Sequence, residues 1–113
     1  LAAAQVLMSH ASPRILVLGD MGELGELSER LHEELVRNVQ QFNFDDVFTL
    51  GRRLKQAART VGVAGQSFED VASLADNLFP SLTPGATLLV KGSRSMAMER
   101  VIKKLETMSQ GTH

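Results

Sequence analysis

The chain has 113 residues, a formal net charge of −1 and no cysteine. That length corresponds to about one domain, and 12 Lys+Arg against 13 Asp+Glu leave no basic excess of the kind that nucleic-acid binding uses. Without cysteine, disulfides and thiolate metal sites are excluded, and no apolar run reaches the roughly 18 residues of a membrane span. We therefore expect one globular domain over residues 1–113, with no nucleic-acid partner and no membrane insertion.

Hydrophobic periodicity predicts strands that alternate with helices. Continuous apolar runs predict strands at 14–18, 47–50 and 86–90, with a minimal strand at 66–68. Apolar residues spaced i, i+3, i+4 and i+7 predict helices around 27–41, 54–61, 71–78 and 98–107. Residues 1–12 are predicted to be the end of a leading helix, and 108–113 a frayed tail. Single-helix connections between strands predict an α/β fold with a mainly parallel sheet.

Serine residues are the predicted caps at two of the helix starts. Ser28 is the predicted cap of the first of these helices, and Ser95 that of the last. The apolar stripe of the first helix is predicted to be formed by Leu27, Leu31, Leu35 and Val39, widened by Val36.

A glycine-rich loop follows the first predicted strand, with the sequence Gly19-Asp20-Met21-Gly22-Glu23-Leu24-Gly25. Its spacing differs from G-x-G-x-x-G, its two acids would repel a pyrophosphate, and no P-loop motif occurs in the chain. Two interpretations remain open. The acids accept hydrogen bonds from an amine, a hydroxyl or a metal-bound water, or the loop is a turn that needs glycine for positive φ.

A second polar segment, Lys91-Gly92-Ser93-Arg94-Ser95, follows the last predicted strand. Two cations and two hydroxyls at a strand-to-helix junction favour a carboxylate or phosphate ligand over a merely capped helix. Because parallel strands end at one edge of a sheet, this segment and the glycine-rich loop are predicted to be neighbours. His32, on the helix after the loop, either reaches the edge of this site or has a structural role.

These segments carry a family resemblance. The pattern Leu18-Gly19-Asp20-Met21-x-Glu23-Leu24-Gly25, then His32, Val90-Lys91-Gly92-Ser93-Arg94 and Met98-Glu99, closely resembles the C-terminal domain of the Mur ligases over about residues 5–107. The resemblance implies a Rossmann-like, three-layer domain with helices on both faces of the sheet. It also implies ATP-dependent amide formation in cytoplasmic peptidoglycan synthesis, which joins D-alanyl-D-alanine to UDP-N-acetylmuramoyl-tripeptide.

In that family the ATPase chemistry, with ATP and Mg²⁺, belongs mainly to a central domain, and a further domain binds the UDP group. This chain has no P-loop and does not begin with Met. We therefore expect it to be a piece of a longer enzyme that is inactive alone and that closes onto the central ATPase domain. The alternative is a free-standing α/β binding or interaction module without enzymatic activity.

Carried over to this sequence, the resemblance implies substrate-binding residues but no catalytic residue and no metal ligand. Lys91, Ser93 and Arg94 would hold the terminal carboxylate of D-alanyl-D-alanine. Asp20 and Glu23 would orient its amine or meet the ATP ribose. The remaining expected contacts are the loop residues Met21, Leu24, Gly25 and Gly92, with His32 behind them.

Overall fold

The computed structural model describes residues 13–22, 24–63 and 66–110, without the side chain of Ser95. In this part of the chain, strands and α-helices alternate as predicted. Their bounds are β1 Arg14–Gly19, α1 Ser28–Val39, β2 Asp46–Leu50, α2 Arg52–Val61, β3 Ser67–Phe68, α3 Val71–Leu78, β4 Thr87–Lys91 and α4 Glu99–Gln110. The predictions for 1–12 and 111–113 lie outside the described residues.

All four strands are parallel and lie in the order β3-β2-β1-β4. In register, Leu18 of β1 is aligned with Thr49 of β2 and with Lys91 of β4. The carboxyl ends of these strands therefore meet at one edge of the sheet. The predicted α/β class with a parallel sheet is confirmed.

Alternate residues of the strands build a core on each face of the sheet. Leu16 and Leu18 pack with α1 and α2, whereas Ile15 and Val17 pack with α3 and α4. A parallel strand covered on both faces reads as a continuous apolar run, which is why β1 is recognisable in the sequence. Each fully buried aliphatic side chain contributes roughly 1.5–3 kcal/mol to folding, so the two cores fix the sheet between its helix layers.

Both predicted serine caps are wrong. A 3-10 turn at Gly25–Leu27 leads into α1, so Ser28 is the first helical residue and Leu27 occupies the cap position without a side-chain hydrogen bond. Leu27 is 55% exposed, and the buried residues of α1 are His32, Val36 and Val39. The prediction is therefore confirmed for Val36 and Val39 and wrong for Leu27, which precedes the helix, and it did not include the buried His32.

The last helix starts later and ends later than predicted. A 3-10 turn at Arg94–Met96 and a left-handed Ala97, with φ 46°, intervene before α4 starts at Glu99. A left-handed residue interrupts right-handed helical geometry, so Ser95 cannot begin this helix. At its other end α4 continues to Gln110, three residues beyond the predicted end at 107, and the frayed tail stays a prediction.

Asp20 connects three strands and a helix at the carboxyl edge. Its N–H donates to the Leu50 carbonyl at 3.1 Å, and its carbonyl accepts from the Ser93 N–H at 3.3 Å. Its carboxylate accepts the N–H groups of Arg53 at 3.1 Å and Leu54 at 2.8 Å. These are free N–H groups in the first turn of α2, so Asp20 caps a helix that lies 33 residues further along the chain.

Gly51 makes room for this cap. It holds the cap position of α2 with φ 125°, and a Cβ built there would overlap the Asp20 carboxylate. We expect Gly51→Ala to lower the free energy of unfolding by about 2–4 kcal/mol, because it combines a strained φ with a steric overlap. Urea denaturation followed by circular dichroism measures this change.

Gly85→Ala is the matched control. Gly85 also has positive φ, at 88°, but a Cβ there would meet nothing within 4 Å. Gly85→Ala should lower the free energy of unfolding through backbone strain alone, by about 1–2 kcal/mol. If Gly51→Ala lowers the free energy of unfolding by the same amount as Gly85→Ala, the overlap with Asp20 has no energetic consequence.

A second side-chain cap begins α3. The Asp70 carboxylate accepts the Ser73 N–H at 2.7 Å and the Ser73 hydroxyl at 2.9 Å. The Ser73 amide, followed by the Ser73 hydroxyl, lowers the pKa of Asp70 below its ordinary 3.8. Since the folded pKa lies below the unfolded one, the stabilisation is complete above the unfolded pKa and is lost as pH falls through the folded pKa.

Asp70→Ala should therefore lower the melting temperature at neutral pH, and the difference from the wild type should shrink as the pH falls below 3.8. Thermal melts across a pH series measure this dependence. Asp76→Ala removes an exposed acid of the same helix for which no capping contact is seen. The capping role would be contradicted if the melting temperature of Asp70→Ala stayed below that of the wild type by the same amount at every pH, or if Asp76→Ala lowered it equally.

Candidate functional site

The glycine-rich loop and the lysine-containing segment meet at the carboxyl edge of the sheet, as their positions after parallel strands predict. Between them lies a cavity of about 250 Å³. Its lining is formed by Leu18, Gly19, Met21, Gly22, Leu35, Lys91, Gly92 and Ser93. The site is therefore built from β1, β4, their following loops and the inner side of α1.

Two glycines and a methionine shape the floor beneath this cavity. A Cβ on Gly19 or on Gly92 would collide with Met98, and one on Gly92 would also lie 3.1 Å from the Gly19 Cα. Met98 is buried with the core on the α3 and α4 side. The absence of side chains at both glycines thus lets the two loops approach each other with the thioether packed below them.

The Arg94–Met96 turn is held by a side chain of the following helix. The Arg100 guanidinium donates to the Ala97 carbonyl at 3.1 Å and to the Met96 carbonyl at 2.5 Å. These bonds stabilise the chain reversal at left-handed Ala97, which in turn places Met98 under the loops. The turn is three residues long and α4 begins only at Glu99, so the junction expected here between a strand and a helix is a strand followed by a 3-10 turn.

Two cations lie in or next to the loop that borders the cavity: Lys91 lines the cavity, and Arg94 follows its lining residue Ser93. Lys91 and Arg94 are exposed, and neither forms an ion pair within 4 Å in the described part of the chain. Lys91 is aligned with Leu18 and lies on the same face as Leu89, toward α1. The arrangement is a small pocket with an almost wholly apolar lining and positive charge at its mouth, which suits a carboxylate with a small apolar group beside it.

Asp20 does not line this cavity. Both carboxylate oxygens of Asp20 bind the start of α2, and Glu23 lies outside the described residues. The carboxylate of Asp20 thus serves as a helix cap, and its binding of the substrate amine or the ribose stays a prediction.

The last glycine of the loop borders a different, charged groove. Gly25 lines a groove of about 400 Å³ between the starts of α1 and α2, together with Glu26, Glu29, Arg52 and Arg53. The Leu24 carbonyl accepts the Leu27 N–H within the 3-10 turn. A third cavity, about 330 Å³ and lined by Phe42, Phe44 and Thr49 among others, shares Leu18 with the first cavity but contains no residue of the glycine-rich loop or of the lysine-containing segment.

His32 is the residue whose role the sequence left open. It is fully buried, with Nε2 3.0 Å from the Met21 amide nitrogen and Nδ1 2.6 Å from the Ser28 carbonyl oxygen. It therefore ties the loop to α1 without lining the cavity. The sequence carries one signal for this burial. His32 precedes Val36 by one turn and Val39 by two turns, so the three residues share the buried face of α1.

The described residues contain no group of three or more His, Asp or Glu side chains that could hold a metal ion. No helix in the described ranges has the length and apolar character needed to cross a membrane.

Comparison with known proteins relates this site to a family. The family described as "Mur ligase, glutamate ligase domain" matches residues 1–94. The UDP-N-acetylmuramoyl-tripeptide–D-alanyl-D-alanine ligase of Escherichia coli is 37% identical over 107 residues, which cover 93% of this chain and 24% of that protein. This chain thus spans about a quarter of the length of the curated relative.

Solved structures agree with the sequence comparison. A crystal structure of MurF from Acinetobacter baumannii superposes with a TM-score of 0.81 at 30% identity, covering 92% of this chain and 24% of that one. MurF ligase from Thermotoga maritima, in complex with ADP, has a TM-score of 0.78 at 23% identity over 98% of this chain and 26% of that one, which supports the fold alone. The chain belongs to the Mur ligase family and carries its glutamate ligase domain.

Proposed function

We propose that this chain is the substrate-closing C-terminal domain of an ATP-dependent ligase in cytoplasmic peptidoglycan synthesis. The reaction joins the amine of D-alanyl-D-alanine to a carboxyl group of UDP-N-acetylmuramoyl-tripeptide. The identity of the chain to a ligase named for these two substrates supports the proposal. Its share of about a quarter of that ligase supports a role as one domain of several.

The small cavity between the two loops is the observation that carries this proposal. The cavity volume of about 250 Å³ is smaller than the roughly 300–1,000 Å³ that is typical of pockets for drug-sized ligands. Lys91 and Arg94 would bind the terminal carboxylate of the dipeptide from the rim, with Ser93 beside them. Met21 and Leu35 provide an apolar wall for the adjoining methyl group.

This chain would contribute orientation rather than activation. ATP with Mg²⁺ would supply the phosphorylation of the tripeptide carboxyl, and the described residues contain no metal-binding cluster, so we assign both to the central ATPase domain. Holding the dipeptide by its carboxylate end leaves its amine free to face that domain. Such positioning converts an encounter between two molecules into a reaction within one complex.

The ligation assay on the full-length protein tests the function. Phosphate release from ATP should require both D-alanyl-D-alanine and UDP-N-acetylmuramoyl-tripeptide, and mass spectrometry should detect the joined product. Dipeptide-independent ATP hydrolysis, or no product, would overturn the proposal and favour the free-standing binding module. The 113-residue chain alone should form no product, since it has no P-loop.

Replacing Lys91 tests its contact with the carboxylate. We expect Lys91→Met, which keeps the apolar stem, to lower kcat/KM for the dipeptide by about 10–100-fold, the scale of a lost charge-assisted hydrogen bond. Steady-state kinetics of the full-length enzyme measures this loss. Lys103→Met, on the exposed face of α4, is the control and should leave kcat/KM unchanged.

A modified substrate separates this contact from general damage. With the dipeptide amide, which lacks the terminal negative charge, the wild type should lose most of its advantage over Lys91→Met. If Lys91→Met lowers kcat/KM for the amide as much as for the dipeptide, the proposed contact is contradicted, because the amide lacks the carboxylate that Lys91 would bind.

A further inference from the structure

The structure assigns a positioning role to His32: in one neutral tautomer, its ring holds the backbone of Met21 and thereby sets the wall of the dipeptide cavity. This inference rests on the proposed function, which supplies the ligand of that cavity. His32 itself does not line the cavity, so it acts through Met21.

The two contacts of the ring determine its tautomer. The Ser28 carbonyl can only accept a hydrogen bond, so Nδ1, at 2.6 Å, must carry the proton. The Met21 N–H can only donate, so Nε2, at 3.0 Å, must present its lone pair. The Ser28 hydroxyl, 3.3 Å from Nδ1, can rotate to suit either arrangement and does not alter this assignment.

Burial makes both contacts costly to lose. The ring has no solvent-exposed surface, so a replacement that cannot accept leaves the Met21 N–H without its partner in a partly buried position. An unsatisfied buried donor costs far more than the net gain of an ordinary hydrogen bond. The loop would then shift to reach water, carrying the Met21 side chain out of the cavity wall.

The bond from His32 holds Met21, a part of the loop that lines the dipeptide cavity. Asp20 is already fixed to β2 and to Ser93 by its backbone. Met21, the next residue, is tied to α1 by His32. The first part of the loop is thus held from two sides, and the bond from Met21 to His32 is a side-chain hydrogen bond that joins the loop backbone to α1.

Nuclear magnetic resonance on the chain labelled with ¹⁵N tests the contact without any substrate. The His32 ring should show a protonated Nδ1 and an unprotonated Nε2. His32→Leu should accelerate hydrogen exchange of the Met21 amide relative to the wild type. A protonated Nε2 in the folded chain, or unchanged Met21 exchange in His32→Leu, would overturn the inference.

Kinetics on the full-length ligase tests the consequence. We expect His32→Leu to raise KM for D-alanyl-D-alanine about tenfold, because the displaced Met21 no longer completes the cavity wall, with KM for ATP unchanged. His32→Gln, whose side-chain oxygen can accept the Met21 N–H, should restore KM for the dipeptide to within about threefold of the wild type.

Val39→Ala is the control for general destabilisation. Val39 is buried on the same helix but does not line the cavity, so its truncation should lower stability and leave KM for the dipeptide unchanged. Equal rises in KM for Val39→Ala and His32→Leu would overturn the positioning role. Absence of ligation by the wild type would instead overturn the proposed function, whereas the magnetic resonance result would still decide whether the ring holds Met21.

Discussion

The carboxylate of Asp20 and the backbone around it hold the carboxyl edge of the sheet together. One residue binds the last residue of β2, the loop after β4 and the first turn of α2. Gly51 is matched to this junction, because its missing side chain leaves the space that the Asp20 carboxylate fills. The cavity between the loops exists because this junction fixes where β1 ends and where the chain after β4 continues.

The fold was largely predictable from the sequence, because β1 is a continuous apolar run and the apolar helix faces have strong periodic patterns. The errors lie at the helix starts, where Ser28 and Ser95 looked like caps. The chain uses 3-10 turns at both places, so neither serine caps its helix. The cap of α2 comes from Asp20, which is distant in sequence and therefore leaves no local pattern at the start of that helix.

The candidate site was predictable in location but less so in its parts. Parallel topology places the loop after β1 beside Lys91, and the structure brings them to one cavity. From the sequence, an acid that binds substrate cannot be distinguished from one that binds backbone N–H groups, because either role is compatible with Asp20 next to a glycine. Nor could it reveal that both nitrogens of His32 are bound to backbone groups, since those partners depend on how the loop folds back on α1.

The packing of Gly19, Gly92 and Met98 also constrains how this edge can change in evolution. The three residues share one volume, with a thioether below two bare Cα atoms. A methyl group gained at either glycine would need a compensating loss at the methionine, so substitutions here should be coupled rather than additive. Relatives that depart from glycine at either position should therefore carry a shorter side chain in place of Met98, and they would have a differently shaped floor beneath the same strands.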